Sequence, residues 1–360
     1  MTSNPPRDGE GDQAQPGGGG PETHRAGEEP PPPLGLAERF PSPFRGGSRE
    51  LAFIAALRAL ATHPAARGLL DDAAILPFGG NNLILTHDMI VEGVHFLPHD
   101  PPEDVAWKLV AVNLSDLAAK GAVPIGMLAG YTLSGAADRD AAFVRGLGEA
   151  IRVLDIPLLG GDTVSVPAGT PRSFGLTAIG RSEGPVPSRS GARDGDTLWV
   201  SGTIGDADAG LRAARGEMDS PALLDRYRRP QPRLSAGQAL ATLVSAMMDV
   251  SDGLLIDARR MAEASGLGVE IDLDAMPLSA EYRAACGDDL PALLAAATGG
   301  DDYELLFTAT DVEAIAAVSA RVGLPLTSIG RMRAGSGLRL AHRGAPVRYD
   351  GPLGWEHHAG

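Results

Sequence analysis

Lysine is almost missing from this chain of 360 residues: only Lys108 and Lys120 occur, and arginine supplies the other basic side chains. No Gly-Lys-Ser or Gly-Lys-Thr triplet exists, which excludes a Walker-type phosphate loop. The single cysteine, Cys286, excludes an intrachain disulfide framework and a multi-cysteine zinc or iron–sulfur site. No uninterrupted apolar run reaches membrane-spanning length. The N-terminus is polar and proline-rich and carries no visible secretory signal, so a cytoplasmic enzyme is the expectation. Positive charge is also in deficit: 31 basic against 46 acidic residues leaves a formal charge of −15. That balance argues against a nucleic-acid binder that works through phosphate contacts. A chain this acidic is expected to bind phosphates through metal ions held by carboxylates.

What is present reads as soluble and globular, with 43% hydrophobic and 21% charged residues and enough length for two cores. Residues 1–33 contain eight prolines and seven glycines, too few apolar side chains to offset the entropy of ordering. The expected organisation is a disordered extension over 1–48, one domain over 49–183 and a second over 184–360. The Gly-, Pro-, Ser- and Arg-rich stretch Gly180–Asp196 forms the connection. Periodicity predicts helices over Leu51–Thr62, Asp104–Lys120, Asp138–Leu154, Ala207–Arg215, Ala236–Val244, Leu254–Ala264 and Val312–Val322. Strands are predicted over Ala74–Leu76, Leu83–Thr86, Ile125–Leu133, Phe174–Ile179, Thr197–Val200, Val269–Leu273 and Tyr303–Thr308. Gly79-Gly80-Asn81-Asn82 reads as a hairpin turn, and mixed hairpins and helices favour an α+β fold over a doubly wound parallel sheet.

The chemical signal is a series of aspartates beside Gly, Ser or Thr at expected element ends: Asp71-Asp72, Asp88, Asp116, Asp162, Asp249 with Asp252, and Asp301-Asp302. Each alone is explained by helix capping or turn formation; Asp252 before Gly253, for instance, reads as a cap for the next helix. Together they suggest a cleft whose carboxylates would repel one another without cations, and hard oxygen donors suit Mg²⁺. On the helix 104–120, Asn113, Asp116 and Lys120 share one face. That face is either solvated, with an Asp116–Lys120 pair, or part of a site. His95 and Arg189 are each either ordinary packing or surface residues or contacts to a phosphate.

Six segments carry a resemblance. They are Asp71-Asp72-Ala73-Ala74, Thr86 to Phe96 (Thr-His-Asp-Met-Ile-Val-Glu-Gly-Val-His-Phe), Ala111 to Ala119 (Ala-Val-Asn-Leu-Ser-Asp-Leu-Ala-Ala), Gly160-Gly161-Asp162-Thr163, Asp249 to Leu254 (Asp-Val-Ser-Asp-Gly-Leu) and Gly299 to Leu305 (Gly-Gly-Asp-Asp-Tyr-Glu-Leu). In order and spacing the chain resembles the thiamine-monophosphate kinase family, within the aminoimidazole-ribonucleotide synthetase-like superfamily, from about Leu51 to the C-terminus. The Val-Glu-Gly-Val-His-Phe segment favours this kinase over its superfamily relatives. The resemblance implies magnesium contacts at Asp72, Thr86, His87, Asp88, Asp116, Asp162, Asp249 and Asp252. It implies ATP contacts at Gly161, Asp162, Arg189 and Ser251, and thiamine-phosphate contacts at His95, Asp301 and Trp355. An aromatic face such as that of Trp355 can stack on a cationic thiazolium. Two positions depart from the family: His87 stands where threonine is commoner, which loses a hydroxyl ligand, and Asp301 where glutamate is common, which shortens the reach.

The same resemblance implies two α/β domains, with the N-terminal ones pairing into a β-barrel-like core of a homodimer and ATP lying between the N- and C-terminal domains. It implies transfer of a phosphoryl group from ATP to thiamine monophosphate by direct in-line displacement assisted by several Mg²⁺ ions, the last step of thiamine diphosphate biosynthesis, with no acid–base residue. The alternatives are another ATP-dependent synthetase of the superfamily, or a catalytically silent nucleotide-binding protein. Selenophosphate synthesis would call for a reactive cysteine near the N-terminus, and a silent protein for lost aspartates; neither is seen.

Overall fold

A computed structural model describes residues 49–356. The expected disordered extension over 1–48 lies outside these residues. Helix α1 (Arg49–Arg58) leads through a 3-10 segment to the hairpin β1 (Ala74–Phe78) and β2 (Asn81–Val91). The turn is Gly79-Gly80 alone, both at positive φ, and Asn81 already pairs with Phe78. Two left-handed residues in succession match the twist of a tight hairpin, and glycine adopts them without steric cost.

Helix α2 (Pro102–Ala119), β3 (Val123–Leu133), α3 (Ala137–Leu154), β4 (Leu158–Ser165) and β5 (Ser173–Ser182) complete the first half. Its five strands lie in the order β1-β2-β5-β3-β4, antiparallel except for β3 and β4. Within one chain this sheet is open, with β1 and β4 at its edges. Residues 183–196 then lead to a second sheet. Its elements are β6 (Thr197–Ser201), α4 (Asp206–Ala214), α5 (Pro221–Arg228), α6 (Leu234–Leu240), β7 (Ala246–Val250), α7 (Leu254–Ala264), β8 (Gly268–Asp272), α8 (Ala280–Cys286), α9 (Leu290–Thr298), β9 (Glu304–Ala309), α10 (Val312–Val322), β10 (Leu326–Arg333), β11 (Gly337–His342) and β12 (Ala345–Val347). The seven strands run β12-β11-β8-β10-β6-β9-β7. The mixture of hairpins, one parallel pair in each sheet and packed helices is the expected α+β class.

Helix α2 departs from its expected amphipathic pattern. Every side chain from Val105 to Ala119 is buried. One flank packs Leu109, Val110, Leu114 and Leu117 against Ile84, Ile90, Phe174 and Leu176 of the first sheet. Its end places Ala118 and Ala119 in a core with Trp199, Leu240, Met247 and Phe307 of the second half. The polar face therefore meets protein rather than water. A buried leucine contributes about 1.5–3 kcal/mol, so this helix is the main apolar connection between the halves.

The strands also run further than their apolar cores suggested. β2 continues to Val91 because its pairing with β5 extends from Asn82↔Ser182 to Val91↔Ser173. Asp88, Asp162 and Asp249 consequently lie inside strands rather than at their ends. Backbone pairing does not require apolar side chains, so it carries a strand through a carboxylate.

α6 seats on α2 at Gly237, where an added Cβ would overlap the Ala118 carbonyl. We expect Gly237→Ala to lower stability by about 1–3 kcal/mol, as overpacking does, read as a lower urea midpoint at unchanged slope.

Candidate functional site

Three aspartates from separate parts of the chain converge. Asp72 precedes β1, Asp116 lies on α2 and Asp249 on β7, and carboxylate oxygens of all three lie within 4.8 Å of one another. Strand alternation sends Thr86 and Asp88 to the α2 side of the first sheet. The Thr86 hydroxyl donates to the Asp116 carboxylate, and the Asp88 N–H donates to Asn113 Oδ1 at 2.9 Å. Ser115 donates to Asp249 Oδ2 at 2.6 Å. The α2 face marked by Asn113 and Asp116 is thus part of the cluster and is not solvated.

The electrostatics of the cluster are those of carboxylates short of positive charge. Burial, then the charges of Asp72 and Asp252, push Asp88 up to about 6. Burial, then Asp72, push Asp249 up to about 8. Asp116 is raised well above the carboxylate range by burial and then by Asp88, Asp249 and Asp72. Asp72 goes the other way: burial works to raise it, but Lys120 and Arg189 outweigh burial and hold it low. Lys120, fully buried, donates to Asp72 at 2.7 Å and also pairs with Asp71. Its ammonium is turned to the loop before β1 and not to the Asp116 carboxylate, so of the two readings of this face the i, i+4 ion pair is not the one adopted. The three carboxylates that meet here offer oxygen donors, and of the three only Asp72 is paired with cationic side chains. That donor set fits a hard divalent cation such as Mg²⁺.

The Ser251-Asp252 turn after β7 borders the same cluster. Arg260 pairs with both Asp252 and Asp257, and Asp257 accepts the N–H groups of Ser251 at 3.2 Å and Asp252 at 3.1 Å. Asp252 does not cap α7 as expected; Gly253 occupies the cap position, with no side-chain cap bond. Arg189 reaches Asp72 from the connecting segment. The Ser251 carbonyl accepts from Asp301 N–H and the Asp252 carbonyl from Trp355 N–H, each at 2.8 Å. Lys108 joins Asp301 Oδ2 at 2.7 Å to the His95 carbonyl at 2.9 Å. His95, Asp301 and Trp355 thus connect, through Lys108 and the Ser251-Asp252 turn, to the acidic cluster.

Three candidate contacts lie elsewhere. His87 points to the opposite face of the first sheet, where its Nδ1 is 2.8 Å from Thr177 Oγ1. Gly161 and Asp162 are on edge strand β4. Across the sheet Asp88 is level with Leu176, Leu176 with Ala129, and Ala129 with Gly161. Three strand spacings of about 4.8 Å put Asp162 some 14 Å along the sheet from the cluster. Gly161 and Asp162 instead border a cavity of about 500 Å³ beside α3, lined also by Tyr131, Phe143 and Leu158. The sequence placed Asp71 in the acidic series without a role, left Lys120 on a face that was either solvated or part of a site, and did not single out Asp257 or Arg260. The available signal was a lysine at a helix end in a chain with only two.

The chain is similar to known proteins over most of its length. Residues 70–182 match the family described as AIR synthase related protein, N-terminal domain, and residues 193–343 its C-terminal domain. The chain is 41% identical over 305 residues to the thiamine-monophosphate kinase of Caulobacter vibrioides, covering 82% of this chain and 86% of that protein. It is 39% identical over 307 residues to the thiamine-monophosphate kinase of Salmonella typhimurium, covering 81% and 92%. The solved structure of AaThiL complexed with AMPPCP and TMP superposes with a TM-score of 0.75 at 31% identity, covering 87% of this chain and 99% of that one.

A pH dependence follows from the raised carboxylates. Asp249 binds its proton more tightly folded, at about 8, than unfolded, near 4. Its contribution to metal-free stability therefore falls as pH rises from about 4 to 8. In chelator, the melting-temperature advantage of Asp249→Asn over the parent protein should be small at pH 5 and several degrees at pH 8. Added Mg²⁺ at pH 8 should stabilise the parent more than the variant. Thermal melts at the two pH values check this.

Proposed function

We propose that this chain, which belongs to the thiamine-monophosphate kinase family, transfers the γ-phosphoryl group of ATP to thiamine monophosphate, giving ADP and thiamine diphosphate. The observation that carries the reading is the convergence of Asp72, Asp116 and Asp249 from both halves, next to a substrate end built from His95, Asp301 and Trp355. We take 49–183 and 184–360 as the two domains and the cytoplasm as the location, as expected from the sequence.

The nucleophile is an oxygen of the acceptor phosphate. Its second pKa is about 6, so it is largely ionised at neutral pH and needs no general base. The bond from γ-phosphorus to the bridging oxygen of ATP breaks as the new phosphoanhydride forms, in line and without a phosphoenzyme. The obstacle is repulsion between two polyanions. Magnesium ions held by Asp72, Asp88, Asp116, Asp249 and Asp252 would neutralise phosphoryl oxygens when bound. The chain's own groups prepare that site. Lys120 and Arg189 keep Asp72 ionised, Thr86 and Ser115 orient Asp116 and Asp249, and Asn113 fixes the backbone at Asp88. Any contact at His87 on this side runs through its backbone, since the imidazole lies on the far face. A threonine at this position would face the same way, so the histidine neither removes a side-chain ligand from the cluster nor obstructs it.

Gly161 and Asp162 join the reading through a partner copy. The face of the first sheet turned away from α2 exposes Met89 and Leu128, and β4 exposes Leu159 and Val164, on a chain whose net charge would otherwise favour solvation. A second copy laid on this face would cover it, extend the open sheet toward a barrel, and bring its own β4 toward the cluster. The cavity beside Gly161 and Asp162 then suits the nucleoside, with the phosphates directed across the interface.

Incubating the protein with ATP, Mg²⁺ and thiamine monophosphate should give thiamine diphosphate by chromatography, with none from thiamine or without magnesium. Asp88→Asn should cut turnover by orders of magnitude while leaving the melting curve cooperative; near-normal turnover would remove Asp88 from the metal set. Sedimentation should give a dimer mass at micromolar protein. Leu128→Asp, which puts a charge on the covered face, should give monomers of low activity.

A further inference from the structure

Both lysines of the chain lie on or at the end of α2, twelve residues apart, about 18 Å along a helix. Lys120 serves the acidic cluster. Lys108 serves the other end, and the reaction described above gives it no part. It is 2% exposed. Its ammonium donates to Asp301 Oδ2 at 2.7 Å and to the His95 carbonyl at 2.9 Å, and stands 4.2 Å from the centre of the Tyr227 ring. An ammonium has three protons to give, and these three neighbours use its capacity. Buried and engaged in this way, it acts on a substrate through the groups it holds.

Those groups come from opposite halves: His95 follows β2 and Asp301 precedes β9. Asp301 has φ 71 and Tyr303 φ 52, a left-handed backbone that non-glycine residues keep only where their surroundings hold them. The holding contacts are Lys108, the Tyr303 hydroxyl, which donates to Asp301 Oδ1 at 3.1 Å, and the Ser251 carbonyl, which accepts Asp301 N–H at 2.8 Å. His95 is fixed as well. Its Nδ1 accepts the Val91 N–H at 3.0 Å, so the neutral ring carries its proton on Nε2.

We propose that Lys108 is the positioning residue for the acceptor substrate: it sets His95 and Asp301 at one separation across the two halves. The pair so fixed fits an acceptor with an anionic phosphate, which suits the His95 Nε2–H, and a cationic or N–H-bearing organic part, which suits the Asp301 carboxylate. The inference rests on reading His95 and Asp301 as acceptor contacts.

The test is steady-state kinetics with thiamine monophosphate and ATP varied separately, with a thermal melt for each variant. Lys108→Met should raise the KM for thiamine monophosphate about ten- to hundredfold, as loss of a charged hydrogen bond does, with the KM for ATP within about twofold and kcat changed less than KM. Asp301→Asn should act in the same way. The double variant should fall well short of the product of the two single effects, because both act on one contact. Full multiplication of the two effects, or an equal rise in the KM for ATP, overturns the proposal. A silent Lys108→Met beside an impaired Asp301→Asn overturns it while leaving Asp301 at the acceptor. A silent Asp301→Asn removes Asp301 from the acceptor and the premise with it. Where Lys108→Met melts below the assay temperature, Lys108→Gln, which keeps a donor for the His95 carbonyl, carries the same expectations.

Discussion

The ammonium group of Lys120, fully buried between Asp71 and Asp72, is the interaction on which the rest of the site depends. Separating a buried ion pair leaves an uncompensated charge that costs about 3–5 kcal/mol, so the loop before β1 is held firmly against the end of α2. With Arg189 joining from the connecting segment, Asp72 stays ionised while its neighbours are pushed toward protonation. One carboxylate thus keeps its charge without a metal, and the others are poised to regain theirs when a cation arrives. Such an arrangement couples the affinity of the cleft for cations to the packing of a single helix.

α2 links the two ends of the chemistry. Its first turns hold Lys108 beside Asp301 and its last turn holds Lys120 beside Asp72, with Asn113, Ser115 and Asp116 between them. Because the helix is buried on every side from Val105 to Ala119, these polar groups have no water to fall back on, and each finds a protein partner. Rigidity across the span follows from packing, since an α-helix clamped in two cores cannot bend without opening one of them.

Much of this was legible in the sequence, and the reasons differ by element. α7 and α10 stand at their expected bounds because apolar periodicity, flanking glycines and an Asp311 cap agree. β4 was hidden because Leu158-Leu159-Gly160-Gly161 reads as a strand stopping at a turn, whereas pairing with β3 carries it to Ser165. α5, α8 and α9 are short, and short helices owe their existence to tertiary packing more than to local pattern. In the site, the aspartates announced themselves by repetition beside Gly, Ser and Thr. Asp257 and Arg260 did not, because a helical acid and base three apart look like any exposed pair. The separation of Asp162 from the cluster was also invisible, since strand order within a sheet is not written in motif order.

The scarcity of lysine has a further physical result. Both lysines lie under packed side chains, at 2% and 0% exposure, so the native surface offers no lysine amine at all. Amine-directed acylating reagents and crosslinkers therefore find no lysine on the native fold. A lysine-specific protease can cut this chain only after α2 has left both cores, because its target bonds are at the helix itself. Cleavage at Lys108 or Lys120 therefore counts the molecules in which the central helix has been released, an intrinsic clock for opening that needs no label.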